Sequence, residues 1–162
     1  MSFWKVIRGL EFRQVKSLAA WFLKHPLFMT STIIATFSTY RISQREFPYI
    51  HGQHNKANAF RHALWNILIA KVSSRFSKNQ EAVLQWTQRI TDWHEDFSPN
   101  EEMAKLMDLH NNRIGRDLFD QLSKKNTSEI IAFMKEQLPR AAKVQEPAEF
   151  DSYIDQLVYL ED

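Results

Sequence analysis

Residues 55–70 form a helix-favouring run, Asn-Lys-Ala-Asn-Ala-Phe-Arg-His-Ala-Leu-Trp-Asn-Ile-Leu-Ile-Ala, that neither Gly nor Pro interrupts. On a helix, one face of this run carries two amides, a guanidinium, an imidazole and an indole. These side chains recur at i, i+3, i+4, i+7 and i+8: Asn58, Arg61, His62, Trp65 and Asn66. All of them make directed hydrogen bonds, and none is a usual filler of a solvent face. The run therefore predicts a helix with a functional face.

The rest of the chain also favours helices. Its 162 residues include only three Gly and five Pro, which leaves few positions for the tight turns of a sheet protein. The length suits one domain with a full core. We predict an all-α fold, a compact single-domain bundle of about six helices. Its parts are a basic amphipathic N-terminal helix at 1–25, a motif-bearing core at 35–120 and C-terminal helices at 125–162.

Cysteine usage and charge limit the classes of function. The chain has no Cys, so it forms no disulfide and only His, Asp and Glu remain as metal ligands. Residues 1–60 contain eight Lys and Arg against two Glu, whereas residues 61–162 contain thirteen against seventeen Asp and Glu. This asymmetry fits an acidic partner, a membrane surface or docking onto the acidic remainder. No basic run or motif gives a specific nucleic-acid signal.

The first forty residues contain two apolar segments, each of which could pack in the protein core or contact a membrane. Residues 3–24 predict a basic amphipathic helix that either docks on the core or touches a membrane surface. Residues 27–37 are apolar but only about half as long as the ~20 residues that span a bilayer, so we interpret them as a buried helix. A signal peptide is not expected, because no long apolar stretch follows the early basic residues. The expected location is therefore cytoplasmic or peripheral to a membrane.

Four further helices follow from periodicity and capping residues. They run from Gln80 to about Asp96, from the Ser98-Pro99 break to about Ser123, from Thr127 or Ser128 to Pro139, and from about Ala148 onward. Gly115 lies inside the second of these and costs about 1 kcal/mol against Ala there. It therefore predicts close approach of another backbone or a ligand.

Three of the predicted helices each bring a histidine to an apolar face or beside one. The expected pocket combines these histidines with neighbouring acids and amides: His62, His94, His110, Asp92, Glu95, Asp108, Asn58, Arg61, Trp65, Asn66, Asn111 and Asn112. A divalent metal, Zn²⁺ or Mn²⁺, would bind His62, His94, His110 and Asp108, with Glu95 or Asp92 as general base. The amides, Arg61 and Trp65 would bind substrate.

Two alternatives stay open, because no His-Glu-x-x-His motif is present. In a metal-free site, His62 or His94 would be the general base and Asp92 or Asp108 would orient it. In the other alternative, the same side chains form a buried hydrogen-bond network that specifies helix packing and does no chemistry.

Three segments of the chain carry a resemblance. They are 58–66 (Asn-Ala-Phe-Arg-His-Ala-Leu-Trp-Asn), 91–95 (Thr-Asp-Trp-His-Glu) and 107–116 (Met-Asp-Leu-His-Asn-Asn-Arg-Ile-Gly-Arg). Together they resemble an uncharacterised bacterial domain family with the pattern (N/D)AFRHAxWN, xxHE and MDLxNNxxGR over residues 35–120. That family often has Asp at the position of Asn58. It also occurs as a module in large secreted proteins of toxin-like architecture, which favours hydrolysis by analogy only.

Two hypotheses about function result. The first is a hydrolase, metal-assisted or metal-free, acting on a phosphoester, lipid or cell-envelope substrate. The second is a non-catalytic binding or structural module whose N-terminal helix contacts a membrane or a partner. A water-accessible cleft containing His62, His94 and Glu95 would favour the first, and a dry, fully paired network the second.

Overall fold

Helices make up nearly all of the regular structure in the computed structural model, which describes residues 12–97 and 101–162. The α-helices run in chain order as α1 Phe12–Lys24, α2 Pro26–Glu46, α3 Lys56–Ser73, α4 Gln80–Phe97, α5 Glu102–Asp117, α6 Phe119–Leu122 and α7 Thr127–Gln137. The all-α prediction is confirmed. Residues 3–11 of the predicted N-terminal helix lie outside the described residues.

The predicted helix from Ala148 onward is wrong. Pro147–Tyr153 is a 3-10 helix, and the strand β2 (Val158–Tyr159) pairs in parallel with β1 (Ala142–Lys143). The side chain of Asn111 explains the extended backbone, because its amide exchanges two hydrogen bonds with the main chain of Val158, at 2.9 and 3.0 Å. Those backbone groups are therefore satisfied by a tertiary contact and not by a helix.

The central helix is α3, whose apolar side chains are almost completely buried. Phe60, Leu64 and Ile67 are fully buried, and α3 packs most extensively against α2 and α5. Asn55 is the N-cap of α3. Its side chain accepts hydrogen bonds from the backbone N–H groups of Ala57 and Asn58, at 3.0 and 3.2 Å. Of the polar face predicted for this helix, Asn58, His62 and Asn66 are buried as well, whereas Arg61 and Trp65 are half-buried.

Gly115 lies where α5 crosses α3. A Cβ at this position would come within 2.8 Å of the Cα atom of Ala63 and 2.9 Å of its carbonyl carbon, and closer still to its carbonyl oxygen. The close backbone approach predicted from this glycine is confirmed.

The helix α2 reverses the usual pattern of burial. Its buried face consists mostly of small or hydroxyl-bearing side chains, with two larger apolar ones, Met29 and Ile42: Met29, Ser31, Thr32, Ala35, Thr39, Ile42 and Ser43. Several of its hydroxyls donate to the carbonyl four residues earlier, as Ser31 does to Leu27 at 2.9 Å. The large side chains at 27, 33, 34, 37 and 40 are exposed instead. The helix over 27–37 was thus predicted correctly, but the prediction that it is buried is wrong for its outward face.

The described part of the N-terminal helix docks on the core. Leu18 and Trp21 pack against the core cluster, and the Trp21 ring meets Trp86 and Trp93 edge-on, with centroids 6.1 and 5.7 Å apart. Among the described residues, no helix is both long and apolar enough to cross a bilayer.

Candidate functional site

His62 lies between two buried carboxyl groups. Its Nδ1 is 3.4 Å from Glu95 Oε1, and its Nε2 is 3.3 Å from Asp108 Oδ1. The three residues come from α3, α4 and α5, and they are 3%, 1% and 3% exposed. One ligand atom of each lies within 4.8 Å of the others. Within the described part of the chain, this is the one group of three or more His, Asp and Glu side chains that could share an ion. We call it the His–Glu–Asp cluster.

Two buried amides join the cluster to the surrounding helices. Asn112 donates from Nδ2 to Glu95 Oε1 at 2.9 Å, and its Oδ1 accepts from Asn66 Nδ2 at 2.7 Å. Asn66 also donates to the carbonyl of His62 at 3.0 Å. These bonds leave the two amides little freedom to turn.

Arg61 brings a positive charge to the cluster. Its Nη2 lies 2.8 Å from His62 Nε2 and 2.7 Å from Asn58 Oδ1, while its Nη1 donates to the carbonyl of His51 at 2.7 Å. A guanidinium only donates hydrogen bonds, so His62 Nε2 accepts, and the proton of a neutral imidazole is then on Nδ1. Two acceptors lie near that proton: Asn112 Oδ1 is 3.3 Å from Nδ1, and Glu95 Oε1 is 3.4 Å from it.

The two carboxyl groups have opposite pKa shifts. Burial raises the pKa of Asp108, and the charge of Glu95 adds to this effect. Burial also acts to raise the pKa of Glu95, but hydrogen bonds from His62 and Asn112 and the charges of His62 and His94 together lower it. Neighbouring carboxyl groups whose pKa values are pushed apart are typical of sites that hold a proton or a cation.

Glu95 also has an oxygen without a hydrogen-bond donor. Its Oε2 is buried and has no partner among the residues that the structure describes. A buried carboxylate oxygen without a donor is costly. This atom is therefore the position in the cluster most in need of a cation or a water.

Sequence reasoning missed two members of the surrounding network. Asn66 Oδ1 accepts from Arg116 Nη1 at 3.1 Å and from Thr91 Oγ1 at 3.2 Å. A four-residue spacing was the signal that could have found them, because it repeats along each of the three helices. It relates Asn58, His62 and Asn66 on α3, Thr91 and Glu95 on α4, and Asp108, Asn112 and Arg116 on α5.

The sequence model of a family described as a domain of unknown function, DUF6973, matches residues 19–142. The chain belongs to the DUF6973 family. The matched segment contains every residue of the His–Glu–Asp cluster and its amides, whereas β2 lies beyond it. No curated protein and no solved structure matches this DUF6973 chain.

Two predicted site residues of the DUF6973 chain lie away from the cluster. His110 Nε2 is 2.9 Å from the carbonyl of Gln156, and its ring packs on Phe150, with centroids 5.6 Å apart. Asn111 holds β2 as described above. Neighbouring positions on a helix point in different directions, so these two side chains face the C-terminal segment while Asp108 faces α3. The structure therefore does not assemble the predicted ligand set of His62, His94, His110 and Asp108.

The other predicted residues of this DUF6973 chain lie around the cluster or outside it. His94 is exposed, and its ring meets Trp65 edge-on at 5.2 Å. Trp65 is half-buried, and its Nε1 donates to Thr36 Oγ1 at 2.8 Å. Asp92 lines a separate surface pocket together with Arg113 and Arg116. Glu95, and not His94, is thus the residue of α4 that reaches His62.

Proposed function

We propose that this chain is a metal-assisted hydrolase that binds a divalent cation, Zn²⁺ or Mn²⁺, at His62, Glu95 and Asp108. The observation that carries the proposal is the convergence of one imidazole and two carboxyl groups from three helices within 4.8 Å. Imidazole and carboxylate ligands from facing helices of a bundle are a recurrent way to hold such ions.

Charge supports a cation at this position. Two carboxyl groups lie within contact distance of one imidazole, and all three are almost fully buried. Burying ionised carboxylates is costly unless a positive charge compensates them. We expect Glu95 Oε2, which lacks a donor among the described residues, to serve as a ligand atom.

The expected chemistry uses residues at the edge of the cluster. A bound divalent ion supplies a water of lowered pKa and polarises the substrate. His94 is exposed and interacts electrostatically with Glu95 and His62, so we assign it as the general base. Arg61 is half-buried and carries a guanidinium fork, which matches a phosphoryl group better than a neutral ester. The favoured substrate class is therefore a phosphoester.

A non-catalytic structural module is the second candidate. It is favoured by the position of Arg61, whose Nη2 is already 2.8 Å from His62 Nε2 and can itself compensate the carboxylates. An ion at Nε2 would need the same lone pair, so Arg61 would have to leave it. The burial of the cluster and the pairing of Asn66 and Asn112 also match the dry network described above.

Metal titration tests the first candidate. Protein made without a His tag and stripped with a chelator would be titrated with Zn²⁺ or Mn²⁺ while its melting temperature is followed. At an ion concentration of 100 Kd, binding adds about 2.7 kcal/mol, or about 5–10 °C for a chain of this length. Asp108→Asn should remove the shift, and Asp92→Asn is the matched control that should keep it. An unchanged melting temperature would end the metal proposal.

Turnover and folding separate the two candidates. The metal-loaded chain would be offered p-nitrophenyl phosphate monoesters and diesters. For a hydrolase, His62→Ala and Glu95→Gln should abolish turnover while the metal-free variants stay nearly as stable as the wild type. If both variants lose about 3 kcal/mol or more and no ester is cleaved, the structural module is the correct reading.

A further inference from the structure

We propose that the outward face of α2 and the groove beside it dock on an anionic phospholipid bilayer. The proposed surface has an apolar stripe and a cationic groove. It uses none of the cluster residues, so it does not depend on the proposed hydrolase activity.

The apolar stripe consists of large side chains that the fold leaves exposed on α1 and α2. Leu23 is 84% exposed, Leu27 54% and Phe37 42%; Phe22, Ile33, Ile34 and Tyr40 complete the stripe at 40–46%. On α2 these positions lie opposite the buried face, which consists mostly of Ser, Thr and Ala residues. Several large apolar side chains left exposed on one face of a helix are typical of an interaction surface.

The groove lies between α2 and the C-terminal half of α3 and has a volume of about 600 Å³. Four basic side chains line it, Arg41 and Arg45 from α2, Lys71 from α3, and Arg75 just after α3. Among the described residues, Arg41 and Arg75 form no ion pair, Lys71 donates to a backbone carbonyl, and Arg45 pairs with Glu46. The groove therefore has an excess of positive charge beside an apolar wall.

The stripe and the groove form one surface. Ile34 belongs to the stripe and also lines the groove, and Arg41 follows the stripe by one residue at Tyr40. Proteins that bind at a membrane interface place apolar side chains at the level of the acyl chains. Their Arg and Lys side chains lie beside these, at the level of the phosphates. An anionic bilayer is the favoured occupant, because its phosphates attract the basic side chains of the groove. A neutral apolar partner would make no such favourable interaction with them.

Vesicle co-sedimentation of the full-length chain tests this proposal. Vesicles of phosphatidylcholine alone would be compared with vesicles that also contain phosphatidylglycerol. We expect binding to the anionic vesicles and a loss of binding as KCl rises, because salt screens exposed charges. Each Lys or Arg near such a surface contributes about a fivefold change in affinity, so Arg41→Gln/Arg75→Gln should bind about 30-fold more weakly.

A second variant tests the apolar stripe. Leu23→Ser/Leu27→Ser should weaken binding about tenfold per residue, because each removes one inserted side chain. Two controls match these changes outside the surface: Arg89→Gln/Arg140→Gln removes two charges, and Ile154→Ser removes an exposed apolar side chain. Both controls should bind like the wild type, and circular dichroism would verify that every variant is folded.

Three outcomes would overturn the proposal. The first is a wild-type chain that binds neither kind of vesicle. The second is equal weakening by the surface variants and their controls. The third is a wild-type dimer in light scattering that Leu23→Ser/Leu27→Ser separates, which would assign the stripe to a second copy of the chain. Each of these outcomes leaves the metal titration of the cluster unaffected.

Discussion

Replacing Gly115 by Ala tests the close crossing of α3 and α5, on which the geometry of the cluster depends. The new Cβ would lie 2.8 Å from the Cα atom of Ala63 and 2.9 Å from its carbonyl carbon. Both are backbone atoms, so no side-chain rotation can relieve the overlap. Forcing a methyl group into a packed contact costs about 1–3 kcal/mol, and this position belongs at the upper end.

Helix propensity acts in the opposite direction. Ala is favoured over Gly inside a helix by about 1 kcal/mol. The net expectation for Gly115→Ala is therefore a loss of about 2 kcal/mol in the free energy of unfolding. For a chain of this length that corresponds to a melting temperature about 4–8 °C lower. Because Ala63 follows His62, the wider helix separation should also reduce the stabilisation by Zn²⁺ or Mn²⁺.

Urea denaturation measures the change, provided that the slope m stays the same in the variant. Gly52→Ala is the matched control, since a Cβ at Gly52 has nothing within 4 Å and its φ is not positive. That control should be neutral or stabilised by a few tenths of a kcal/mol. If Gly115→Ala were as stable as the wild type, the helices could not approach as closely as described.

Four further predictions concern the network and a helix cap. Burial raises the pKa of Asp108, so in metal-free protein its protonated carboxyl group stabilises the folded state at low pH. This contribution is lost as the pH rises from about 4 through the pKa of Asp108 in the folded state. In urea titrations, the stability of the wild type relative to Asp108→Asn should therefore fall over this pH range. Because the pKa of Glu95 is lowered, the stability of the wild type relative to Glu95→Gln should instead fall on acidification below about pH 4.5, and a flat comparison would contradict the assigned shift. Asn112→Ala removes partners from Glu95 and Asn66, and calorimetry should show a loss of about 2–3 kcal/mol; a loss below 0.5 kcal/mol would mean that the network is not formed. Asn126→Ala removes the capping box at the start of α7 and should cost about 1 kcal/mol, with no effect on metal binding.

The sequence by itself determined the position of those helices that are specified by helix propensity, periodicity and residues at the helix ends. The uninterrupted run at 55–70 corresponds to α3. The periodic pattern from Gln80 corresponds to α4, and the predicted helix start at Thr127 or Ser128 corresponds to α7. Propensity and capping depend on residues within one or two turns, so they can be evaluated without knowing the neighbours of a helix. Gly115 predicted a close approach for the same kind of reason, because a glycine inside a helix needs a steric cause.

Tertiary structure alone decided which polar side chains meet. His94 and Glu95 are adjacent in sequence and differ by about 100° around α4, so only the rotation of that helix in the bundle selects Glu95 for the cluster and leaves His94 exposed. The same is true of α5, where Asp108 faces His62 while His110 and Asn111 face the C-terminal segment. In that segment a tertiary contact also outweighs the local pattern. The side chain of Asn111 forms hydrogen bonds with the backbone N–H and carbonyl of Val158, so a segment with a helical pattern forms a strand there. Local patterns indicate which faces are polar, but the crossing and rotation of packed helices determine which of those faces form a site.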